Sequence, residues 1–351
     1  MPATTFMETL AASGAQFGEY AGARTPASFG SPAAELEALR SGGAVYDLAW
    51  RGKLVITGED RIRWMNGVVT NNIRDLAAHR GNFNYVLNPQ GRIQGDCTVY
   101  QRGDHLLLLT EQSQLARLKE YFDRYIIMDD VEVTDVSEKL SSLGVAGPKA
   151  AVLLGKAGLL PQALEPGEVI DAVSGDAGYS IARSPIERAD GYELWFAVEN
   201  YKHIWDKLVS AGASRAGSTA LEWRRILLGL PRVGLDIGER ELPQETGQDY
   251  ALHYAKGCYI GQEIVERIHS RGIVHRVFSG FVIQGPAPEP GSKLSAVEKE
   301  VGKITSSAEI PMATTVRCIA LGYLRREAAA PGTELQVGET TATVTALPFK
   351  V

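Results

Sequence analysis

From Phe278 to the C-terminus the chain carries only short extended segments set off by Gly and Pro turns, whereas upstream strand-like runs alternate with amphipathic helices. This change of pattern constrains the fold most. Short strands at close turn spacing read as a small all-β domain, with residues 316–323 and 334–346 its clearest members. The mixed portion before it must form α+β structure. At roughly 100–200 residues per domain, 351 residues correspond to two or three domains.

The mixed portion reads element by element. A short helix is expected at 33–40 between irregular flanks. Residues 53–57 form a strand that turns at 58–60 into a helix carrying Ile62 and Met65, stopping near Gly67. Strands at 82–87 and 93–100 are joined by Asn88-Pro89-Gln90-Gly91, a hairpin signal. A strand at 105–110 leads into a helix capped by Ser113, with Leu115, Leu118, Phe122 and Tyr125 on one face. Residues 131–136 extend again, and a helix with Pro148 in its first turn follows Gly147. A strand at 191–198 precedes a helix that turns Ile204, Trp205, Leu208 and Val209 inward and ends at Gly212. Ser218 opens a helix that reaches Leu228 and is closed by Gly229 and Pro231.

Several functions are excluded or left without a signal. With 36 Lys and Arg against 42 Asp and Glu, the net charge of −6 lacks the basic field a general nucleic-acid binder needs. No GxGxxG or GxxxxGK[ST] loop is present, and His269 and His275 are poorly spaced for one metal on one helix face. No apolar run approaches the roughly 20 residues of a spanning helix. The N-terminus lacks the charged and apolar regions of a secretory signal. Cys97, Cys258 and Cys318 are odd in number and far apart, with no CxxC pair, so a reducing cytoplasm is the expected compartment.

The densest chemical signal is Lys256-Gly257-Cys258-Tyr259-Ile260-Gly261-Gln262-Glu263. Ile260, Ile264 and Ile268 are four apart, so a helix starts near Gly261 and buries that face. Cys258 then precedes a helix N-terminus, where free N–H groups favour an anion. With Lys256, Arg267, Arg271 and Arg276 nearby, such a setting lowers a thiol pKa and makes Cys258 a candidate functional thiol. Placement alone leaves a buried structural cysteine equally open.

That eight-residue string is similar to the K-G-C-Y-x-G-Q-E signature of the YgfZ-like proteins, folate-binding factors in iron–sulfur cluster maturation. The rest of the chain resembles their wider superfamily, that of the glycine-cleavage T-protein, an aminomethyltransferase. The shared features are Val45-Tyr46-Asp47-Leu48, Thr70-Asn71-Asn72, the turn 88–91, residues 131–137, Gly147-Pro148 and Asp190-Gly191-Tyr192-Glu193-Leu194. The resemblance implies an α+β fold of three domains in a ring around a central tetrahydrofolate cavity. Its domains would be 1–142 (with 218–277 packing back onto it), 143–217, and a small C-terminal β-barrel at 278–351.

By the same resemblance, Glu193 pairs with the amino and N3–H edge of the pterin, Arg225 helps hold the folate, and Phe83 stands where the T-protein has a tyrosine near the pterin. Asp96 matches the acid that assists one-carbon transfer. Without the resemblance, Glu193 reads as an exposed strand residue, Arg225 as a surface cation and Phe83 as core. The T-protein usually has two adjacent acids at this point, whereas Gly95 precedes Asp96 here; its Gly-Tyr-x-Gly turn is replaced by Ser184-Pro185-Ile186-Glu187. Three readings follow. The first is a tetrahydrofolate-dependent factor acting with iron–sulfur assembly proteins or client enzymes through Cys258. The second is a folate-dependent aminomethyltransferase or demethylase using Asp96. The third is a folate-binding scaffold in which Cys258 is structural.

Overall fold

The computed structural model describes residues 2–272, 274–297, 299–312 and 315–350, with backbone alone at 2–5 and at Arg271. The chain divides into two compact units, Met1–Asn84 with Cys97–Leu221, and Tyr85–Asp96 with Glu222–Val351.

Two sheets organise the first unit, the second of them apart from its residues 85–87 and 93–96, which group with the other unit. One has six strands in the order Val169–Ser174, Ala177–Arg183, Gly191–Ala197, Leu140–Ala146, Ala44–Asp47 and Ser214–Arg215. Its pairings are antiparallel except the last, which is parallel. The other has five, in the order Gly81–Leu87, Ile93–Gln101, Leu106–Glu111, Arg51–Thr57 and Glu132–Asp135. One face of the six-stranded sheet packs Leu194, Phe196, Leu143, Val145 and Ile181 against Ile204, Trp205 and Leu208 of the helix Tyr201–Ser210 and Leu153 and Leu154 of the helix Ala150–Lys156. On the opposite face Trp195, Ala182 and Val169 meet Tyr100, Leu107 and Leu109 of the five-stranded sheet. Because side chains alternate along a strand, Glu193 shares the face of Trp195.

The second unit contains a closed six-stranded barrel, in the order Arg276–Gln284, Val316–Arg325, Lys299–Pro311, Lys293–Ala296, Glu334–Val337 and Thr340–Thr345, which returns to the first strand. Closure removes exposed strand edges, and Phe281, Ile283, Leu294, Ile304, Leu324, Leu335 and Val344 fill the interior. The fold is thus the expected α+β portion followed by an all-β barrel.

Several local expectations are corrected. The N-terminal flank is regular, with a helix Pro2–Ala12 and a hairpin of Gln16–Tyr20 with Ala23–Ser28. Leu140–Ala146, Val169–Ser174 and Ala177–Arg183 are further strands. The helix Gln112–Arg124 has Glu111 rather than Ser113 at its N-cap, and Pro148 precedes the N-cap Lys149 of its helix. The strand Ala44–Asp47 shares a sheet with Gly191–Ala197, and Tyr85–Asp96 groups with the barrel unit. Non-local strand pairing through Leu140–Ala146 decides the first of these placements. Among the described residues no helix is long and apolar enough to cross a membrane.

Candidate functional site

In the first unit Glu193 lies on the face of the strand Gly191–Ala197 that carries Trp195. Its side chain is 15% exposed, Oε1 accepts from the Trp195 indole at 2.8 Å, and Oε2 lies 3.4 Å from Arg51 Nε. Arg51 comes from the strand Arg51–Thr57 of the facing sheet, and its guanidinium lies 4.8 Å over the Trp50 ring. Tyr100 stands edge-on to Trp195 at 4.9 Å. Burial pushes the Tyr100 phenol up, and the Glu193 charge adds to the shift. Phe83, on the strand Gly81–Leu87, is half-buried, and its carbonyl accepts from the Asn71 amide at 3.1 Å.

A carboxylate offers about four lone-pair positions. With one taken by Trp195 and one side facing Arg51, Glu193 keeps acceptor capacity for two parallel N–H donors. Trp195 and Tyr100 were not singled out from sequence, although the 193/195 alternation was there to read. Arg51 is distant in sequence and comes into view only through sheet stacking.

The second unit holds Asp96, Arg225 and the motif at 256–263. Asp96 is half-buried on the strand Ile93–Gln101, and its charge contributes to the upward shift of the buried Tyr85 phenol, after burial itself. Arg225 is not a surface cation. Nε donates to Glu222, one terminal nitrogen to Asp236 and the Leu230 carbonyl, and the other to Glu222 and Ser306. All five N–H groups are engaged within this unit, and the side chain is 10% exposed. The i,i+3 spacing of Glu222 and Arg225 on one helix was the available signal.

Cys258 is exposed, while Cys97 and Cys318 are buried. It lies three residues ahead of Gly261, the N-cap of the helix Gln262–Arg271. Gly261 has φ of +81°, and a Cβ there would sit 2.6 Å from the Asn88 carbonyl and 3.1 Å from Gly91 Cα. The turn 88–91 therefore packs directly on the helix start. The Gln262 side chain accepts from the Tyr259 N–H at 3.3 Å. The helix buries Val265 completely, whereas Ile260, Ile264 and Ile268 are only half-buried.

The expected basic neighbourhood is spoken for. Lys256 is buried with Nζ 4.8 Å over the Tyr259 ring, Arg267 pairs with Glu263, and Arg276 pairs with Glu245. The Arg271 side chain lies outside the described residues. Exposure and the helix start, not a cluster of unmatched cations, distinguish Cys258.

Comparison with known proteins agrees with this architecture. The family described as GCVT N-terminal domain matches residues 6–256, and that described as CAF17, C-terminal beta-barrel domain matches 271–349. The aminomethyltransferase of Bacillus subtilis (strain 168) is 26% identical over 332 residues, covering 91% of this chain and 90% of that one. That of Rubrobacter xylanophilus is 27% identical over 361 residues, covering 99% and 93%. A putative chloroplastic transferase of Arabidopsis thaliana is 26% identical, covering 95% of this chain and 76% of its own. The crystal structure of the glycine cleavage system aminomethyltransferase T from Bartonella henselae superposes with a TM-score of 0.88 at 21% identity, covering 100% and 97% of the two chains.

Proposed function

The chain belongs to the GCVT N-terminal domain family, and on that basis we propose that it is a tetrahydrofolate-binding protein of the YgfZ-like kind. In a reducing cytoplasm it supports the assembly or repair of iron–sulfur clusters in partner proteins. The observation that carries this reading is the exposed thiol of Cys258 within the 256–263 string, followed by a barrel of the CAF17 C-terminal kind. One exposed cysteine supplies one of the four thiolates a cluster usually takes. Cys258 therefore acts on a partner's cluster rather than holding one alone.

Folate, when bound, carries a one-carbon unit. Glu193 fits its recognition, because a carboxylate with spare lone pairs accepts two parallel N–H donors. Trp195 and Arg51 fix its orientation, and Phe83 offers an apolar ring. Asp96 is placed in this reading as a hydrogen-bond partner or general base for the folate amine. Arg225, with its donors engaged, serves by locking the helix Ser218–Leu228 to Asp236 and Ser306.

A second reading, a folate-dependent aminomethyltransferase or demethylase using Asp96, is favoured by relatives that are named aminomethyltransferases and match nearly the whole chain. Deleting the gene separates the two. Loss of iron–sulfur enzyme activity with glycine cleavage intact is expected, whereas loss of glycine cleavage alone would replace the first reading with the second.

A further inference from the structure

A cavity of about 370 Å³ in the first unit is lined by Lys53, Ser142, Asp47 and Tyr201, with Leu48 and Val198 among its apolar walls. Lys53 is only 2% exposed, and its Nζ donates to one neutral acceptor, the Arg51 carbonyl at 2.9 Å. The three carboxylates whose charge acts on Lys53 each accept hydrogen bonds from other groups. Asp47 accepts from Thr25, Tyr201 and the Ala49 N–H, Glu193 faces Trp195 and Arg51, and Asp135 holds Ser137. Ser142 is 3% exposed, and its Oγ has no hydrogen-bond partner among the described residues. Ser142 is the register partner of Trp195, so both lie on the face turned toward the five-stranded sheet.

A buried ammonium with spare N–H groups and a buried hydroxyl without a partner are both costly unless something pairs with them. We propose that this cavity binds a small organic monocarboxylate, its anion held by Lys53 and Ser142 and its apolar body against Leu48 and Val198. Asp47 and the exposed Glu138 at the wall disfavour a second negative charge on the ligand. Burial pulls Lys53 down to about 8 while Glu193 pulls it the other way, and an incoming carboxylate restores its charged form. Glu193 does not line the cavity, so the inference does not rest on folate binding.

The test is titration calorimetry of the full chain with benzoate and isovalerate, using benzamide as the neutral isostere of benzoate. Both carboxylates are expected to bind at millimolar concentration and benzamide about tenfold more weakly or not at all. Lys53→Met is expected to lose about tenfold or more, and Ser142→Val severalfold; if Lys53→Met does not fold, Ser142→Val decides. Prior loading with tetrahydrofolate leaves carboxylate binding unchanged. The proposal is overturned if neither carboxylate binds, if benzamide binds equally, if the folded variants bind as the parent does, or if tetrahydrofolate competes.

Discussion

Single residues carry two consequences that solution measurements reach directly. Cys258 is exposed, whereas Cys97 is 1% and Cys318 8% exposed. Burial, with Glu309 adding, pushes the Cys318 thiol up to about 11. Iodoacetamide followed by peptide mass spectrometry should therefore label Cys258 well before the other two, and comparable rates at all three would sink its assignment as the available thiol. Cys258→Ala should change stability by no more than about 0.5 kcal/mol, because the side chain is exposed. Lys53 gives a pH signature. Its folded pKa of about 8 lies below its ordinary 10.5, so between these values the unfolded chain binds the extra proton and stability rises with pH. Below pH 8 both states are protonated and the burial cost stands in full. The rise is at most roughly 3 kcal/mol. Denaturant melts of the parent and Lys53→Met should differ in slope across this window, and parallel profiles would refute the effect. From sequence, Cys258 was visible because its string is contiguous. The partners of Glu193 and Arg225 were less so, because a cross-sheet contact leaves no trace in local spacing.

Elements show where the close approaches lie. The helix Gln262–Arg271 starts at Gly261 and ends before Gly272, both left-handed, with φ of 81° and 67°. They are not equivalent. A Cβ at Gly261 meets the Asn88 carbonyl at 2.6 Å, while one at Gly272 meets nothing within 4 Å. Gly272→Ala should cost about 1 kcal/mol for the backbone conformation alone, and Gly261→Ala more, up to about 3 kcal/mol, because the turn 88–91 must move. Equal losses in denaturant melts would show that the turn does not constrain the motif. Elements with strong local signals were legible in sequence, such as the helix Ser218–Leu228 and the strand Gly191–Ala197, bounded by caps or apolar runs. Val169–Ser174 and Ala177–Arg183 were not: in the first the exposed Val173 and buried Ser174 break the apolar-in, polar-out alternation, and in the second Ala177, Gly178 and Ala182 carry little strand preference. The parallel pairing of Ser214–Arg215 with Ala44–Asp47 had no local signal at all.

At the scale of the whole molecule, this chain spans 90% or more of the two bacterial aminomethyltransferases compared with it, yet the resemblance drawn from sequence implies that Gly95 replaces the first of two adjacent acids of the T-protein. Purified protein mixed with the other glycine-cleavage components and tetrahydrofolate should therefore give no turnover above background; turnover abolished by Asp96→Asn would establish the aminomethyltransferase reading. Folate binding is common to both readings and makes the claim on which the account most depends. Titration calorimetry of tetrahydrofolate into the intact protein and into Glu193→Gln tests it. The intact protein should bind, and the variant should bind about 1.5–3 kcal/mol more weakly, the range for hydrogen bonds to a charged group. No binding by the intact protein, or unchanged affinity in Glu193→Gln, would contradict it.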